Sequence, residues 1–212
     1  MYALYYSPGS ASLAVHWMLI ELRARHELVR IDFETKAQKS ADYLKLNPSG
    51  VVPTLLIDGA PQTETGALLM LLAERHPEAR LAPAPGVPER ANFLQWMFYL
   101  ANVAQPSFRM WFYPHEGAGP EQEEATKAEA RKRIEAAWDR IDAHLGDGRR
   151  YFLGDDLSAV DFLATMLMRW SRNMPKPASE WASISRYLST MRAMPSLIET
   201  HKREGLTDWI GG

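Results

Sequence analysis

Residues 1–78 alternate between short strand-like runs of β-forming residues and longer runs with helical periodicity. The strand-like runs are Tyr2–Tyr6, Glu27–Phe33 and Thr54–Ile57, and a turn at Asp58-Gly59 follows the third of them. The helix-like runs are Leu13–Arg25, Ser40–Leu46 and Thr65–His76. Strands and helices that interleave in this order predict a small mixed sheet with helices packed on it.

A segment rich in proline and glycine follows this first half. Residues 81–88 read Leu-Ala-Pro-Ala-Pro-Gly-Val-Pro, a composition that cannot continue a helix. We therefore expect a linker at residues 79–88. One domain would then occupy residues 1–78 and a second would occupy residues 89–212.

Almost everything after the linker has helical periodicity. Glu89–Pro114 is an aromatic-rich run in which Pro106 predicts a kink. In Glu121–Leu145 the apolar side chains recur at helical spacing, at Ile134, Trp138, Ile141 and Leu145. The pattern predicts an all-α second domain.

A capping-box pattern marks one helix start in this second domain. In Ser158-Ala159-Val160-Asp161 a hydroxyl stands at the N-cap position and a carboxylate three residues later, ahead of the apolar run 162–167. A catalytic Ser–Asp pair would need a histidine base, and none is nearby in the sequence. We therefore expect both residues to be structural.

Composition excludes several classes of function. The 212 residues carry a net charge of -2, which gives no reason to expect binding to nucleic acid or to a membrane surface. The absence of cysteine rules out disulfides, zinc–thiolate sites and a cysteine nucleophile, and the six histidines have no ligand-like spacing. We expect no metal.

The sequence has neither a signal peptide nor an apolar run of about 20 residues, so we expect a cytoplasmic protein.

The most informative stretch is the apolar, β-branched run 50–55, because Pro53 interrupts it. Proline removes a hydrogen-bond donor from a sheet and is normally confined to an edge or to the start of a strand. The conflict disappears if Pro53 opens the strand Thr54–Ile57 and leaves the Val52 backbone facing outward. Glu64 and Thr65 then bring a carboxylate and a hydroxyl to the positive end of the next helix. Such a site suits a zwitterionic peptide.

Together the Val52-Pro53 and Glu64-Thr65 motifs resemble those of the glutathione transferase superfamily, and the run 151–161 around the capping box resembles its buried helix-start motif. The resemblance covers almost the whole chain. It implies an α/β thioredoxin-like N-terminal domain plus an all-α C-terminal domain, glutathione as co-substrate, and a homodimer. It also implies a cis Val52–Pro53 peptide. Val52 would pair main chain to main chain with the cysteinyl part of glutathione, and Glu64 and Thr65 would hold the γ-glutamyl end.

The N-terminal run Tyr-Ser-Pro-Gly-Ser-Ala-Ser-Leu-Ala at residues 6–14 resembles the start of the bacterial beta class, but Ala11 stands where that class has its cysteine. Glutathione must react as a thiolate, and a free thiol has a pKa of about 8.5. A hydroxyl that donates a hydrogen bond at a helix N-terminus can stabilise the anion. Ser10 is our first candidate for this donor and Ser12 the second, and Ser7 and Tyr6 remain open.

The same overlay implies three further contacts. It places a basic residue for the glycyl carboxylate at Lys36 and a residue near the thiol at Gln105. Phe108 and Trp111, with the adjoining Arg109 and Tyr113, could form the apolar wall of an acceptor pocket.

The leading hypothesis is a glutathione transferase that conjugates the glutathione thiolate to a small apolar electrophile, in detoxification. One alternative is a glutathione-binding or interaction protein of the same fold with little catalytic activity. Another is a glutathione-dependent isomerase or dehalogenase, although the Ser-Ser-Cys-Ser pattern of the zeta class is absent. The sequence leaves the physiological electrophile open.

Overall fold

The strands of the sheet are β1 Tyr2–Tyr6, β2 His26–Arg30, β3 Thr54–Ile57 and β4 Ala60–Gln62. Leu4 on β1 and Leu55 on β3 are fully buried. In this computed structural model, which describes residues 1–210, the strands lie in the order β2-β1-β3-β4. β1 pairs parallel with β2 and antiparallel with β3, and β3 pairs antiparallel with β4. The predicted small mixed sheet is confirmed.

Helices account for most of the remaining described residues. Three interleave with the strands: α1 Ser12–Glu21, α2 Ala41–Leu46 and α3 Thr65–Arg75. The others follow one another along the chain: α4 Glu89–Tyr99, α5 Gln105–Phe112, α6 His115–Ala118, α7 Glu123–His144, α8 Ala159–Trp170, α9 Ala182–Arg192 and α10 Pro195–Glu204. A helical region after a thioredoxin-like one agrees with the predicted fold class. In residues 1–210 no helix is long and apolar enough to cross a membrane.

The contacts divide the chain into two compact units. One contains Met1–Ala82 together with the segment that begins at Arg192, and the other is Pro83–Met191. In the first unit α10 packs against α1, where the Trp17 indole N–H donates to the Ser196 hydroxyl at 2.8 Å. The domain boundaries predicted at residues 78 and 89 stay a prediction.

Helix α1 ends earlier than predicted, at Glu21 instead of Arg25, because the chain turns into a Schellman motif. Arg23 has a φ of 50°, and its N–H donates to the Ile20 carbonyl at 2.9 Å. The Ala24 N–H donates to the Leu19 carbonyl at 3.0 Å. Glycine is the usual residue at the left-handed position, so an arginine there gives no sequence signal for the end of the helix.

The single helical run predicted for residues 89–114 is divided in the structure. Between α4 and α5 lies a π-helical segment, Leu100–Ala104, and Pro106 follows within the first turn of α5. Proline has no N–H to donate to the carbonyl four residues earlier, so a regular α-helix cannot continue through this point.

The predicted capping box is present at the start of α8. The Asp161 carboxylate, which is fully buried, accepts hydrogen bonds from the Phe152 N–H and the Ser158 N–H at 2.8 Å each. It also accepts from the hydroxyls of Ser158 at 2.9 Å and Tyr187 at 3.0 Å. Burial raises the pKa of Asp161 to about 6 despite these four donors. The carboxylate therefore ties the loop at Phe152, the helix start and α9 together.

Candidate active site

The sheet topology brings Ser10, Val52 and Pro53 to the same end of the sheet. β1 ends at Tyr6, and Ser7–Ser10 follows directly. β3 runs antiparallel to β1, with Tyr5 opposite Thr54, so β3 begins where β1 ends. Val52 and Pro53 therefore lie at the same end of the sheet as Ser10.

Residues 7–10 form a tight turn that leads into α1. The Ser10 N–H donates to the Ser7 carbonyl at 3.1 Å, and Gly9 has a φ of 68°. Proline at the second position and a positive φ at the third define a type II turn. The Leu13 N–H then donates to the Ser10 carbonyl at 3.0 Å, so Ser10 lies at the N-terminal end of α1.

The hydroxyls of Ser10 and Ser12 differ in exposure. Ser10 is half-buried, and its hydroxyl donates to the Ser7 carbonyl at 2.7 Å. Ser12 is fully buried, and its hydroxyl accepts from the Ser7 N–H at 3.2 Å. Ser7 and Tyr6, the remaining sequence candidates, are both buried as well. Of these four candidates, only Ser10 has a hydroxyl on a residue that is not buried.

The Val52–Pro53 peptide is cis, which confirms the prediction. The Val51 carbonyl just before it accepts from the Tyr43 hydroxyl at 2.7 Å and from the Asn47 side-chain amide at 2.8 Å. For residues 1–210 the hydrogen bonds include none to the N–H or C=O of Val52. An extended peptide can pair with main-chain groups of this kind, as in strand addition to a sheet edge.

The Glu64-Thr65 pair lies at the start of α3. Glu64 is exposed and has a φ of 68°, a strained conformation for a residue with a side chain, and such strain is concentrated at functional sites. Thr65 is buried, and its hydroxyl donates to the Ala11 carbonyl at 3.4 Å. Because Ala11 is the N-cap residue of α1, the N-terminal ends of α1 and α3 lie next to each other. The dipoles of these two helices favour negative charge at their N-terminal ends.

Lys36 is exposed, with a φ of 56°, at the start of a short 3₁₀ turn. Its neighbour Ala37 packs against the cluster of Ile31, Tyr43 and Val52. The lysine is therefore carried by the same part of the first unit as Val52, although no described contact joins the two side chains.

The residues proposed for the acceptor side lie in the helical unit. Gln105 opens α5 and is half-buried, and so is Trp111. Phe108 is fully buried, with its ring centroid 6.0 Å from that of Trp138 and 5.7 Å from that of Trp170. Phe108 therefore packs in the core, and its contact with an acceptor stays a prediction.

An exposed aromatic side chain, Phe112, was not among our sequence candidates. It is 46% exposed, its ring stacks on Phe108 at 6.0 Å, and it meets the Trp170 ring edge at the same distance. Phe112 lies four residues after Phe108 on α5, so helical periodicity could have shown that the two share a face. Which of the two is exposed depends on the packing of the other helices.

Glu204 is a second residue that the sequence did not indicate. Its carboxylate accepts from the Gly9 N–H at 2.8 Å, across 195 residues of sequence. Its other oxygen accepts from Nδ1 of His16 at 2.8 Å, and both side chains are fully buried. Glu204 lies at the charged end of α10, and no local pattern distinguishes it from the exposed charges beside it.

Known proteins resemble this chain in sequence and in structure. The sequence pattern of the glutathione S-transferase N-terminal domain matches residues 1–74, and that of the C-terminal domain matches residues 124–210. A glutathione S-transferase of Xanthomonas campestris pv. campestris is 30% identical over 207 residues, which are 96% of this chain and 98% of that protein.

Two crystal structures are similar over their whole length. A glutathione transferase from Methylococcus capsulatus str. Bath is 33% identical, with a TM-score of 0.87, over 97% of this chain and 100% of that one. A glutathione transferase homologue from Sulfitobacter, solved with bound glutathione, is 30% identical, with a TM-score of 0.88, over 97% and 99%. The chain therefore belongs to the glutathione transferase superfamily and is a transferase.

Proposed function

We propose that this protein binds glutathione on its first unit and transfers it, as the thiolate, to a small apolar electrophile. One observation carries the proposal. Three features lie where the N-terminal ends of α1 and α3 meet the end of β1: the hydroxyl of the half-buried Ser10, the unpaired backbone of Val52 and the strained Glu64. Together they offer recognition elements for the γ-glutamyl and cysteinyl parts of the tripeptide.

The peptide would bind in an extended conformation. The N–H and C=O of Val52 would pair with the cysteinyl main chain, and Pro53, which has no N–H, would begin β3 directly after this contact. The Glu64 carboxylate would take the γ-glutamyl ammonium, and Thr65 would present the start of α3 to the γ-glutamyl carboxylate. Lys36 would pair with the glycyl carboxylate.

Ser10 would then activate the sulfur. A hydrogen bond to a charged acceptor is worth about 1.5–3 kcal/mol, which corresponds to a fall of about one to two units in the thiol pKa. To make this bond, the Ser10 hydroxyl must turn away from the Ser7 carbonyl. That carbonyl keeps a partner, because the Ser12 hydroxyl lies 3.2 Å from it. We therefore assign Ser10 as donor and Ser12 as the group that holds the turn.

The chemical step forms a carbon–sulfur bond. The glutathione thiolate supplies the electron pair, and a leaving group departs with its own pair, or the pair of an activated double bond moves onto an adjacent electron-withdrawing group. We propose that Trp111 and Phe112 contact the apolar acceptor, with Phe108 buried behind Phe112. Gln105 as a hydrogen-bond donor to the sulfur remains a prediction from the resemblance.

We also propose, from the resemblance alone, a cytoplasmic homodimer that acts in detoxification. Light scattering at micromolar concentration distinguishes a dimer from the 24.0 kDa single chain. A particle of single-chain mass would exclude the dimer without affecting the proposed chemistry.

The test of the proposed function has two independent measurements. The purified protein should be retained on immobilised glutathione and eluted by free glutathione, and it should accelerate the reaction of glutathione with a generic aryl halide. Retention without turnover would favour the alternative of a glutathione-binding protein. Turnover limited to an isomerisation, or to halide release from alkyl halides, would favour the isomerase or dehalogenase alternative. Failure to bind glutathione would refute the proposal.

A further inference from the structure

The buried Glu204 carboxylate connects the turn Ser7–Ser10 with helix α1. One oxygen accepts from the Gly9 N–H, inside the turn, and the other accepts from His16, one turn into α1. A buried carboxylate is unfavourable unless it is paired and hydrogen-bonded, so a glutamate at this position is a costly way to fill space. Its use here calls for a reason other than packing.

The hydrogen bond to Gly9 acts on the one peptide that determines the turn type. Type I and type II turns differ mainly in the orientation of the peptide between their second and third residues. In the turn Ser7–Ser10 this is the Pro8–Gly9 peptide, and its N–H is the group that donates to Glu204. With φ at 68° for Gly9, the turn is type II, and the carboxylate holds the peptide in that orientation.

His16 orients the Glu204 carboxylate. Its Nδ1–H donates to Glu204 at 2.8 Å, and its Nε2 is buried with no hydrogen-bond partner in the described part of the chain. The His16 ring contacts those of Tyr6 and His26, with centroid distances of 6.0 Å and 5.5 Å. Since His16 belongs to α1, the carboxylate links the turn before the helix to the body of the helix.

We propose that Glu204, oriented by His16, is a positioning residue for catalysis: it holds the turn Ser7–Ser10 in the conformation from which the Ser10 hydroxyl can rotate from the Ser7 carbonyl to the sulfur of glutathione. The inference rests on the proposed function. Glu204 touches neither substrate, and it acts through the Gly9 peptide. A residue near the C-terminal end of the chain thereby controls the pKa of a thiol bound at the N-terminal helix.

The test compares Glu204→Met, which keeps the volume and removes both acceptor oxygens, with Glu204→Gln. The Gln oxygen can accept from Gly9, and its NH2 can donate to the other tautomer of His16. Thr200→Val is the control, because Thr200 is fully buried on the same helix and its hydroxyl donates only within α10, to the Ser196 carbonyl at 2.7 Å. For each folded variant, thiolate absorbance gives the pKa of bound glutathione, and kinetics give kcat and KM for glutathione.

We expect Glu204→Met to raise the thiol pKa by about one unit and to lower kcat at neutral pH about tenfold, with KM for glutathione within about twofold. Glu204→Gln should retain the wild-type pKa. Thr200→Val should lower the thermal stability and leave the thiol pKa unchanged. A wild-type thiol pKa in folded Glu204→Met would overturn the inference, since Glu204 would then serve stability alone.

If Glu204→Met does not fold, the test uses the double variant His16→Leu/Glu204→Met. It replaces the buried His16–Glu204 pair by an apolar contact, which is tolerated better than a buried His16 without its partner. It should show the same upward shift in the thiol pKa, and an unchanged pKa would again overturn the inference. The proposed function fails separately, because a wild-type protein that does not bind glutathione would overturn both. If Ser10→Ala raises the thiol pKa and the Glu204 variants do not, only the positioning role is wrong.

Discussion

The hydroxyl oxygens of Ser10 and Ser12 lie 2.9 Å apart, within hydrogen-bond distance of each other and of the Ser7 carbonyl. Ser12 is fully buried, whereas Ser10 is only half-buried. This division lets one serine turn toward a ligand while the other keeps the Ser7 carbonyl bonded. It also makes the two serines distinguishable by mutation.

Replacing Ser10 with alanine should lower turnover at neutral pH by about tenfold to a hundredfold and move the midpoint of the pH–rate profile upward, because the thiolate loses a donor. The KM for glutathione should change little, since Val52, Glu64 and Thr65 still bind the peptide. Steady-state kinetics across pH measure both effects. Ser189→Ala is the control, because Ser189 is an exposed residue on α9 whose hydroxyl bonds within its own helix.

The outcome for Ser12→Ala decides between the two serines. We expect lower thermal stability with a wild-type pH–rate midpoint, because Ser12 is fully buried. If Ser12→Ala moves the midpoint and Ser10→Ala does not, Ser12 is the donor. If neither variant moves it, the serine mechanism is wrong, and Tyr6, Ser7 or backbone amides hold the thiolate.

Replacing Glu64 with glutamine should raise the KM for glutathione more than it lowers kcat at saturation. The carboxylate would contact the γ-glutamyl ammonium equally in the ground state and in the transition state, which is the pattern of uniform binding. Glu78→Gln is a matched control, since Glu78 is an exposed glutamate of the same unit. An unchanged affinity for glutathione in Glu64→Gln would refute the assignment.

The order of elements could be predicted from the sequence because it depends on local signals. Short runs of β-forming residues identify β1 and β3, and Pro53 marks where β3 begins. The predicted end of α1 was wrong because Arg23 adopts the left-handed conformation that glycine usually supplies. Site residues within one short motif, such as Glu64 and Thr65, are visible in the same way.

Residues that act across the fold are not visible in this way. Glu204 meets Gly9 only because α10 packs against α1, and nothing in the sequence around either residue records that contact. The burial of Phe108 is hidden from the sequence for a similar reason. Helical spacing places Phe108 and Phe112 on one face of α5, but the rings of Trp138 and Trp170 decide which of them is covered.

Replacing Phe112 with alanine should raise the KM for an aryl electrophile severalfold and leave the KM for glutathione unchanged. The ring is exposed and stacks on a buried one, so it offers an apolar surface to a ligand without unfolding the core. Phe98→Ala is the control, because Phe98 is 57% exposed on α4 and is not among the proposed acceptor contacts. Equal effects of the two variants would remove Phe112 from the proposed acceptor site.

The last prediction concerns Asp161, whose carboxyl group is fully buried at the start of α8. Asp161→Ala should lower the free energy of unfolding by about 3 kcal/mol or more, because the N–H groups of Phe152 and Ser158 and the hydroxyl of Tyr187 lose their acceptor. Specific activity per folded molecule should remain close to wild type. A stable Asp161→Ala protein without turnover would contradict the structural role.

The stability that Asp161 contributes should also depend on pH, with a sign that follows from its raised pKa. Burial raises the pKa from 3.8 to about 6, so the folded state binds the proton more tightly than the unfolded state does. The contribution is therefore fully present below about pH 4 and is lost as the pH rises through about 6. Between about pH 5 and pH 7.5 the free energy of unfolding of the wild type should fall by about 1 kcal/mol relative to that of Asp161→Asn.

Denaturant unfolding of both proteins between about pH 5 and pH 7.5 measures this difference in stability. Asp155→Asn is the control, because it removes one exposed carboxylate from the same loop. A wild type that gains stability relative to Asp161→Asn as the pH rises would show that the four hydrogen bonds outweigh burial and lower the pKa of Asp161 instead.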